Sequence, residues 1–512
     1  LSLQNQSIGY ETRFTAERHT LLLVTVFTYF LANFLIRMAL PQGLELDEAE
    51  QAYFSQWLLA GYSSQPPLYN WLQHAAVQVF GLSLATLSSL KNVILLGSYL
   101  IYWMAARQVL RDRDLAIVAT LGLLTIPQVA FEAQRDLSHT VATIFTASLF
   151  LYTLVRALRQ PSVLAFAFLG LAAGLGVIAK YNFVLLPTAA FLAILSDGTW
   201  RQRLVDWRLA VAAGVALVVV SPHALWLADH FQATSSHTMN KLIGDDTLPI
   251  MAIFKGLGSL AVASLGFAGL TLAVFGLVYR ERFRTVVAAR NDWTRLTGRI
   301  LLFSLCLIVL MILFVGVEKV RDRWLTPILL ILPLYLATKI DAAKIDMQPG
   351  LRRIWGVALV IMAVVPSVLF GRVATAKLTG IYQYPNYPFV TLANEIRPLA
   401  LSARTLIIAS DSHLAGNIRL NLPTVPVMVT STPTGIETLP VPGHDRLLFV
   451  WRNAHGSMPS GFPPQFAQYL EKRGLAGSVP QPVVTALPYN YGQAEDRYRF
   501  AYATVEVGRQ GI

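Results

Sequence analysis

Charge is scarce in this chain. Only 14% of its 512 residues are Asp, Glu, Lys or Arg, while 54% are hydrophobic. Soluble domains carry about 25% charged residues, so a soluble globular fold is excluded. Cysteine is nearly absent. Cys306 stands alone within an apolar run, which rules out an internal disulfide and reads as inert packing. The chain shows no internal repeat, no low-complexity tract, no Walker loop and no GxGxxG fingerprint, so the usual nucleotide cradles are missing. Lys and Arg are missing from residues 44–71, LELDEAEQAYFSQWLLAGYSSQPPLYNW, where Glu45, Asp47, Glu48 and Glu50 crowd six positions just beyond the first apolar run.

What is present is long apolar segments. Spanning needs roughly 20 apolar residues, and the run lengths predict about eleven spans, near 21–40, 84–106, 114–131, 137–155, 163–179, 182–196, 208–228, 250–279, 299–317, 324–338 and 353–371. The first is too long for a signal core. The short pair 163–179 and 182–196 also permits a re-entrant hairpin. The net charge of +12 does not point to nucleic acid, because the basic residues gather in every second loop. That side is cytoplasmic by the positive-inside rule, where the cations also meet membrane lipids. The acidic loop and everything after Gly371 are then external. From Arg372 onward apolar runs shorten to strand length at 404–410, 446–451 and 497–507, with a helix over 388–401 and a strand-to-helix turn at 411–422. The expected organisation is a multi-pass all-α membrane domain over 1–371 and an external α/β domain over 372–512.

Ionisable residues near the membrane collect at the external boundary. Asp47 and Glu48 read either as first-turn carboxylates complementing a helix dipole or as a general base or metal ligand. The stretch they open carries Tyr53, Phe54, Trp57 and Leu58 at helical spacing and is expected to lie flat in the interface. Gln65 precedes Pro66-Pro67-Leu68-Tyr69 and is held extended by the proline after it. Asp136 is a helix cap or, with Arg135 and His139, a functional group. Lys180 either snorkels to headgroups or binds a phosphate. Three histidines, His223, His230 and His237, occur over 223–246 with Lys241, in spacings that match no standard zinc motif. Residues 318–327, EKVRDRWLTP, place Lys319, Arg321 and Arg323 on a side where topology disfavours cations. They form either an anion site with Lys180 or an internal ion-pair network.

In order along the chain stand Asp47-Glu48, Pro66 to Tyr69, Asp136, Lys180 and Arg323-Trp324-Leu325-Thr326-Pro327. This series resembles the GT-C membrane glycosyltransferases: the 4-amino-4-deoxy-L-arabinose lipid A transferases, the protein O-mannosyltransferases and the rhizobial lipopolysaccharide galacturonosyltransferases. The resemblance implies a GT-C fold with juxtamembrane helices in the first external loop, in a bacterial inner membrane with a periplasmic C-terminal domain. It implies a polyprenyl-phosphate sugar donor, a lipid or glycan acceptor and inversion at the anomeric centre. Asp47, Glu48 and Asp136 would be catalytic. Lys180, Arg321, Arg323 and Lys241 would hold the donor phosphate, and Gln65, Tyr69, His139, His237 and Lys319 would touch substrate. Arabinose transferases carry Glu-Lys where this chain has Ser64-Gln65. That departure leaves a divalent metal as an option only and suggests a different sugar. A transporter or flippase is the competing class, although such proteins often bind substrate at mid-membrane between repeats.

Overall fold

The computed structural model describes residues 2–62, 64–232, 234, 249–430, 443–453, 456–459, 461–475 and 480–507. In chain order the helices of the membrane part are α1 (Ser2–Ala39), α2 (Leu46–Phe54), α3 (Leu68–Phe80), α4 (Leu84–Val109), α5 (Arg113–Leu121), α6 (Ser138–Arg159), α7 (Val163–Ala179), α8 (Leu185–Leu195), α9 (Arg208–Asp229), α10 (Pro249–Val278), α11 (Asp292–Val315), α12 (Leu332–Ala343) and α13 (Gln348–Ala374). Among the described residues, eight helices are long and apolar enough to cross a membrane. Each apolar run read from the sequence coincides with a helix, with two refinements. The run at 114–131 is not straight: Arg113–Thr125 and Gln128–Arg135 meet at a 74° bend next to Pro127. Proline removes a helix hydrogen bond, and a broken helix at membrane depth survives where it lines a cavity. The pair α7 and Tyr181–Leu195 are shorter apolar helices, parted at Lys180, whose backbone is extended.

Helix ends follow local chemistry. Ser83 caps α4 by accepting from the Thr86 N–H, and Ser162 caps α7 by accepting from Ala165. Gly170 and Gly174 lie one turn apart on α7. A Cβ on Gly170 would sit 2.1 Å from the Ala212 carbonyl oxygen of α9. The two helices therefore cross backbone to backbone, the small-xxx-small packing of membrane helices.

The C-terminal part is a small sheet domain. It contains α14 (Phe389–Leu401), β1 (Thr405–Ala409), α15 (Ser412–Asn421), β2 (Val427–Val429), β3 (Arg446–Trp451), α16 (Pro464–Lys472), β4 (Val483–Pro488) and β5 (Arg497–Glu506). The strand order is β2-β1-β3-β5-β4, with β1 parallel to both neighbours and β5 antiparallel to both of its own. Side chains alternate across the sheet. Ile407, Ala409, Leu448 and Val450 pack with α14 and α15, whereas Leu406, Ile408, Leu447 and Phe449 pack with α16. The first of these cores also takes in Tyr53, Phe54 and Tyr62 from the first loop. The aromatic face of α2 is therefore covered by the sheet domain and not by lipid headgroups, which corrects the interfacial placement expected from its periodicity.

Candidate active site at the membrane boundary

The bend at Pro127 delivers Glu132, Arg135 and Asp136 to the N-terminal end of α6, where α2 crosses. Of the two roles expected of Asp136, the cap of its own helix is not made. Its Oδ1 accepts from the Asp47 backbone N–H at 3.0 Å, in the first turn of α2. The Ser138 N–H that opens α6 faces Asp47 closely enough to favour its ionised form. Asp136 thus satisfies an open N–H in the first turn of a helix remote from it in sequence. Leu137, between Asp136 and Ser138, adopts a left-handed conformation, φ +60°, which costs a bulky residue about 1–3 kcal/mol and persists only where surroundings enforce it. The Tyr69 hydroxyl bonds Ser138, and Gln51 Nε2 meets His139 Nε2 at 3.3 Å.

The electrostatics tie the two carboxylates together. Burial pushes Asp47 upward, against the lowering pull of Arg323, Lys180 and Lys91. Burial and the neighbouring Asp47 carboxylate push Asp136 well above the usual range. Both carboxyls are therefore held toward the protonated form, and ionisation of one opposes ionisation of the other. Burial and nearby carboxylates also push the Tyr69 phenol upward, so it stays a hydrogen-bond donor.

Opposite Asp47 lies the cationic half. Lys180 Nζ donates to Thr140 Oγ1 at 3.2 Å and to the Arg323 carbonyl at 3.1 Å. Asn182 Nδ2 donates to the Trp324 carbonyl at 2.6 Å, lacing the 180–182 and 321–326 segments together. Burial, then Arg323, pulls the Lys180 ammonium down to about 7, against Asp47 and Asp322. Arg321, Arg323 and Arg135 line a cavity of about 330 Å³ with Gln128, Glu132, Leu137 and Asp322. Glu132 is paired with Arg135 at 2.6 Å, and Asp322 accepts from Gln128 Nε2 and the Arg323 N–H, each at 2.7 Å. Among the described residues, the side chains of Lys180, Arg321 and Arg323 form no ion pair within 4 Å. The alternative of an internal ion-pair network is thus not what these three cations build. Cations without a direct ion pair, close to the Asp47 carboxylate, suit an anionic leaving group.

Other expected residues fall elsewhere. Glu48, expected to be catalytic, is engaged by cations on both carboxylate oxygens: Oε1 accepts from Lys91 Nζ at 2.7 Å and Oε2 from Arg37 Nη2 at 3.1 Å. Burial acts to raise it, but the two cations prevail and hold it at about 2. Lys319 is exposed and Gln65 half-buried; of the expected site residues that are described, only Arg321 and Arg323 line the cavity, and Asp47, Asp136 and Lys180 stand beside it. His223 lies within α9 rather than a loop, bonded to Tyr181 and to the Ala60 carbonyl. His237 and Lys241 lie outside the described residues. The optional metal finds no group of three His, Cys, Asp or Glu ligands among the described residues. Sequence reasoning missed Lys91 and Arg37. Lys91 carried a signal, as a lone cation inside an apolar run.

Helices bring a buried and a half-buried aspartate and several cations to one boundary of the apolar helices, beneath a sheet domain, and similarity to known proteins places the chain among membrane glycosyltransferases of the GT-C fold. A solved structure with this fold is ArnT from Cupriavidus metallidurans in the apo state, with a TM-score of 0.60 over 96% of this chain and 98% of that one, at 13% identity. Residues 64–226 match the family model described as dolichyl-phosphate-mannose-protein mannosyltransferase. The chain belongs to the family of rhizobial lipopolysaccharide core galacturonosyltransferases. It is 45% identical to RgtB of Rhizobium johnstonii over 93% of this chain and 96% of that protein. It is 43% identical to RgtA of the same organism over 93% and 95%. Membership in a family of glycosyltransferases decides against the transporter reading.

Proposed function

We propose that the protein transfers galacturonic acid from a polyprenyl-phosphate carrier to the lipopolysaccharide core, at the periplasmic face of the bacterial inner membrane. The sheet domain stands on that side. The observation that carries the proposal is Lys180, half-buried near Asp47 and Arg323, with its ammonium hydrogen-bonded to neutral acceptors only. The names and extent of the 45% and 43% identical relatives supply the sugar and acceptor class. The donor phosphate sits over Lys180, Arg321 and Arg323. Asp47 takes the proton of an acceptor hydroxyl, whose oxygen attacks the anomeric carbon from the face opposite the phosphate. The new C–O bond forms as the bond to the phosphate oxygen breaks, and polyprenyl phosphate leaves as an anion held by the cations. The anomeric centre inverts. Asp136, Tyr69 and His139 shape the acceptor side, and Glu48 is a positioning residue.

The test is transfer in detergent from polyprenyl-phosphate galacturonate to isolated lipopolysaccharide core, followed by mass spectrometry. A galacturonosyl increment on the core is expected. A pentose or hexose increment with the matching donor, and none with galacturonate, rejects the sugar assignment.

A pH profile tests the two halves. For the free enzyme, kcat/KM for donor is expected to be bell-shaped. The acid limb, from Asp47, should lie above the ordinary aspartate range, because its carboxyl is raised and must be ionised to act. The basic limb should begin near the Lys180 value of about 7, since rising pH discharges the ammonium. Bound phosphate favours the charged form, so the basic limb of kcat should lie higher. A kcat/KM that stays flat through this range counts against Lys180.

A further inference from the structure

Helix α15 of the sheet domain lies across α2. A Cβ on Gly416 would sit 1.9 Å from the Ala49 carbonyl oxygen, so no other residue allows this approach without displacing a backbone. Both backbone groups of Leu44, three residues ahead of Asp47, are taken by α15. The Leu44 N–H donates to Asn417 Oδ1 at 2.9 Å, and His413 Nε2 donates to the Leu44 carbonyl at 2.8 Å. The imidazole is neutral, held at about 4 by burial and then by Arg452. Its tautomer is set from behind: Nδ1 accepts from Arg452 Nη2 at 3.0 Å, and Arg452 is clamped by Asp411 at 2.9 and 3.2 Å. At the far end of α2, the Gln56 amide pairs both ways with the Val427 backbone of edge strand β2, at 3.0 and 3.1 Å. Leu44, His413 and Asn417 are all buried. Folding of the sheet domain alone gives no reason to aim a buried histidine and asparagine at the backbone of a segment more than 360 residues away in sequence.

We propose that the sheet domain is part of the catalytic machinery as a splint: His413 and Asn417 are positioning residues that hold the Leu44 peptide and thereby set Asp47 against the cationic half. The proposal rests on Asp47 being the acceptor-side base. Misplacement of a reacting group by about 1 Å costs on the order of 10²-fold in rate.

The test uses His413→Leu, Asn417→Leu and His413→Gln in the full-length protein. Gln keeps a donor near the Nε2 position. Both Leu variants are expected to lose about 10²-fold in kcat, with the donor KM nearly unchanged because Lys180, Arg321 and Arg323 are untouched. Amide hydrogen exchange over 44–54 should accelerate in both, while His413→Gln stays close to the parent in rate and exchange. Should Asn417→Leu not fold, the two His413 variants carry the comparison. Unchanged kcat in the Leu variants, unchanged exchange over 44–54, or a Gln variant as impaired as the Leu variant overturns the splint. Full activity in Asp47→Asn instead removes the base assignment, and the exchange measurement still reports separately whether the splint holds α2.

Discussion

An Asp47→Asn variant is expected to lose about 10²–10⁴-fold in kcat, the usual contribution of a positioned general base, equivalent to about 3–5 kcal/mol of barrier. The fold should survive. Asn is isosteric with Asp, and the residue 47 backbone still donates to Asp136. Donor KM should change little, since the phosphate lies on Lys180, Arg321 and Arg323. Single-turnover transfer from lipid-linked donor in detergent is the direct measurement. Asp136→Asn provides the contrast. Burial and Asp47 hold Asp136 well above the normal range, so a neutral amide resembles the protonated acid and still accepts from the Asp47 N–H. That variant should keep most of its rate. If Asp136→Asn is dead and Asp47→Asn active, the roles of the two aspartates are exchanged.

Asp47, Asp136, Lys180 and Arg323 were legible in the sequence for one physical reason. Ionisable groups next to apolar spans are costly, so each stands out against its neighbours, and the cations at 319–323 also break the expected charge topology. Their partners were not legible. Asp136 accepts from the first turn of α2 across 89 residues, a partner that no local pattern around Asp136 reveals. Periodicity marked Tyr53 and Phe54 as an apolar face without saying what covers it, and sheet-domain core and lipid suit that face equally. The central strands β1, β3 and β5 were read from their length and β-branched content. The edges β2 and β4 were not: β2 has three residues, and β4 shows four exposed positions of six. His413 carried no positional signal, because its value lies in a carbonyl 369 residues distant.

Glu48→Gln is expected to fail in the opposite way to Asp47→Asn, losing stability before chemistry. Glu48 is 3% exposed and neutralises Lys91 and Arg37, while its Oε2 also accepts from the Glu45 N–H at 3.3 Å. Removing one partner of a buried pair leaves an uncompensated charge and costs about 3–5 kcal/mol. The depressed carboxyl gives a compatible figure. A fall from 4.5 to about 2 corresponds to about 3 kcal/mol. Because the folded value is the lower one, this contribution is complete above the unfolded value and is lost as pH falls toward the folded one. Lys91→Met should cost a similar amount, since it strands Glu48. The double variant should be less damaged than the sum, by about 0.5–3 kcal/mol of coupling, because both buried charges disappear and Arg37 keeps its bonds to the Pro41 and Gly43 carbonyls. Lys91 also donates to the Gln134 carbonyl at 3.2 Å. The ion pair thus joins the residue after Asp47 to the residue two before Asp136, and it fastens the two carboxylate segments to α4 without facing the cavity. Unfolding in mixed micelles, with kcat expressed per folded protein, separates the outcomes. A stable Glu48→Gln protein with collapsed kcat would return Glu48 to the substrate, whereas a destabilised protein with near-normal turnover in its folded fraction leaves chemistry to Asp47 and position to Glu48.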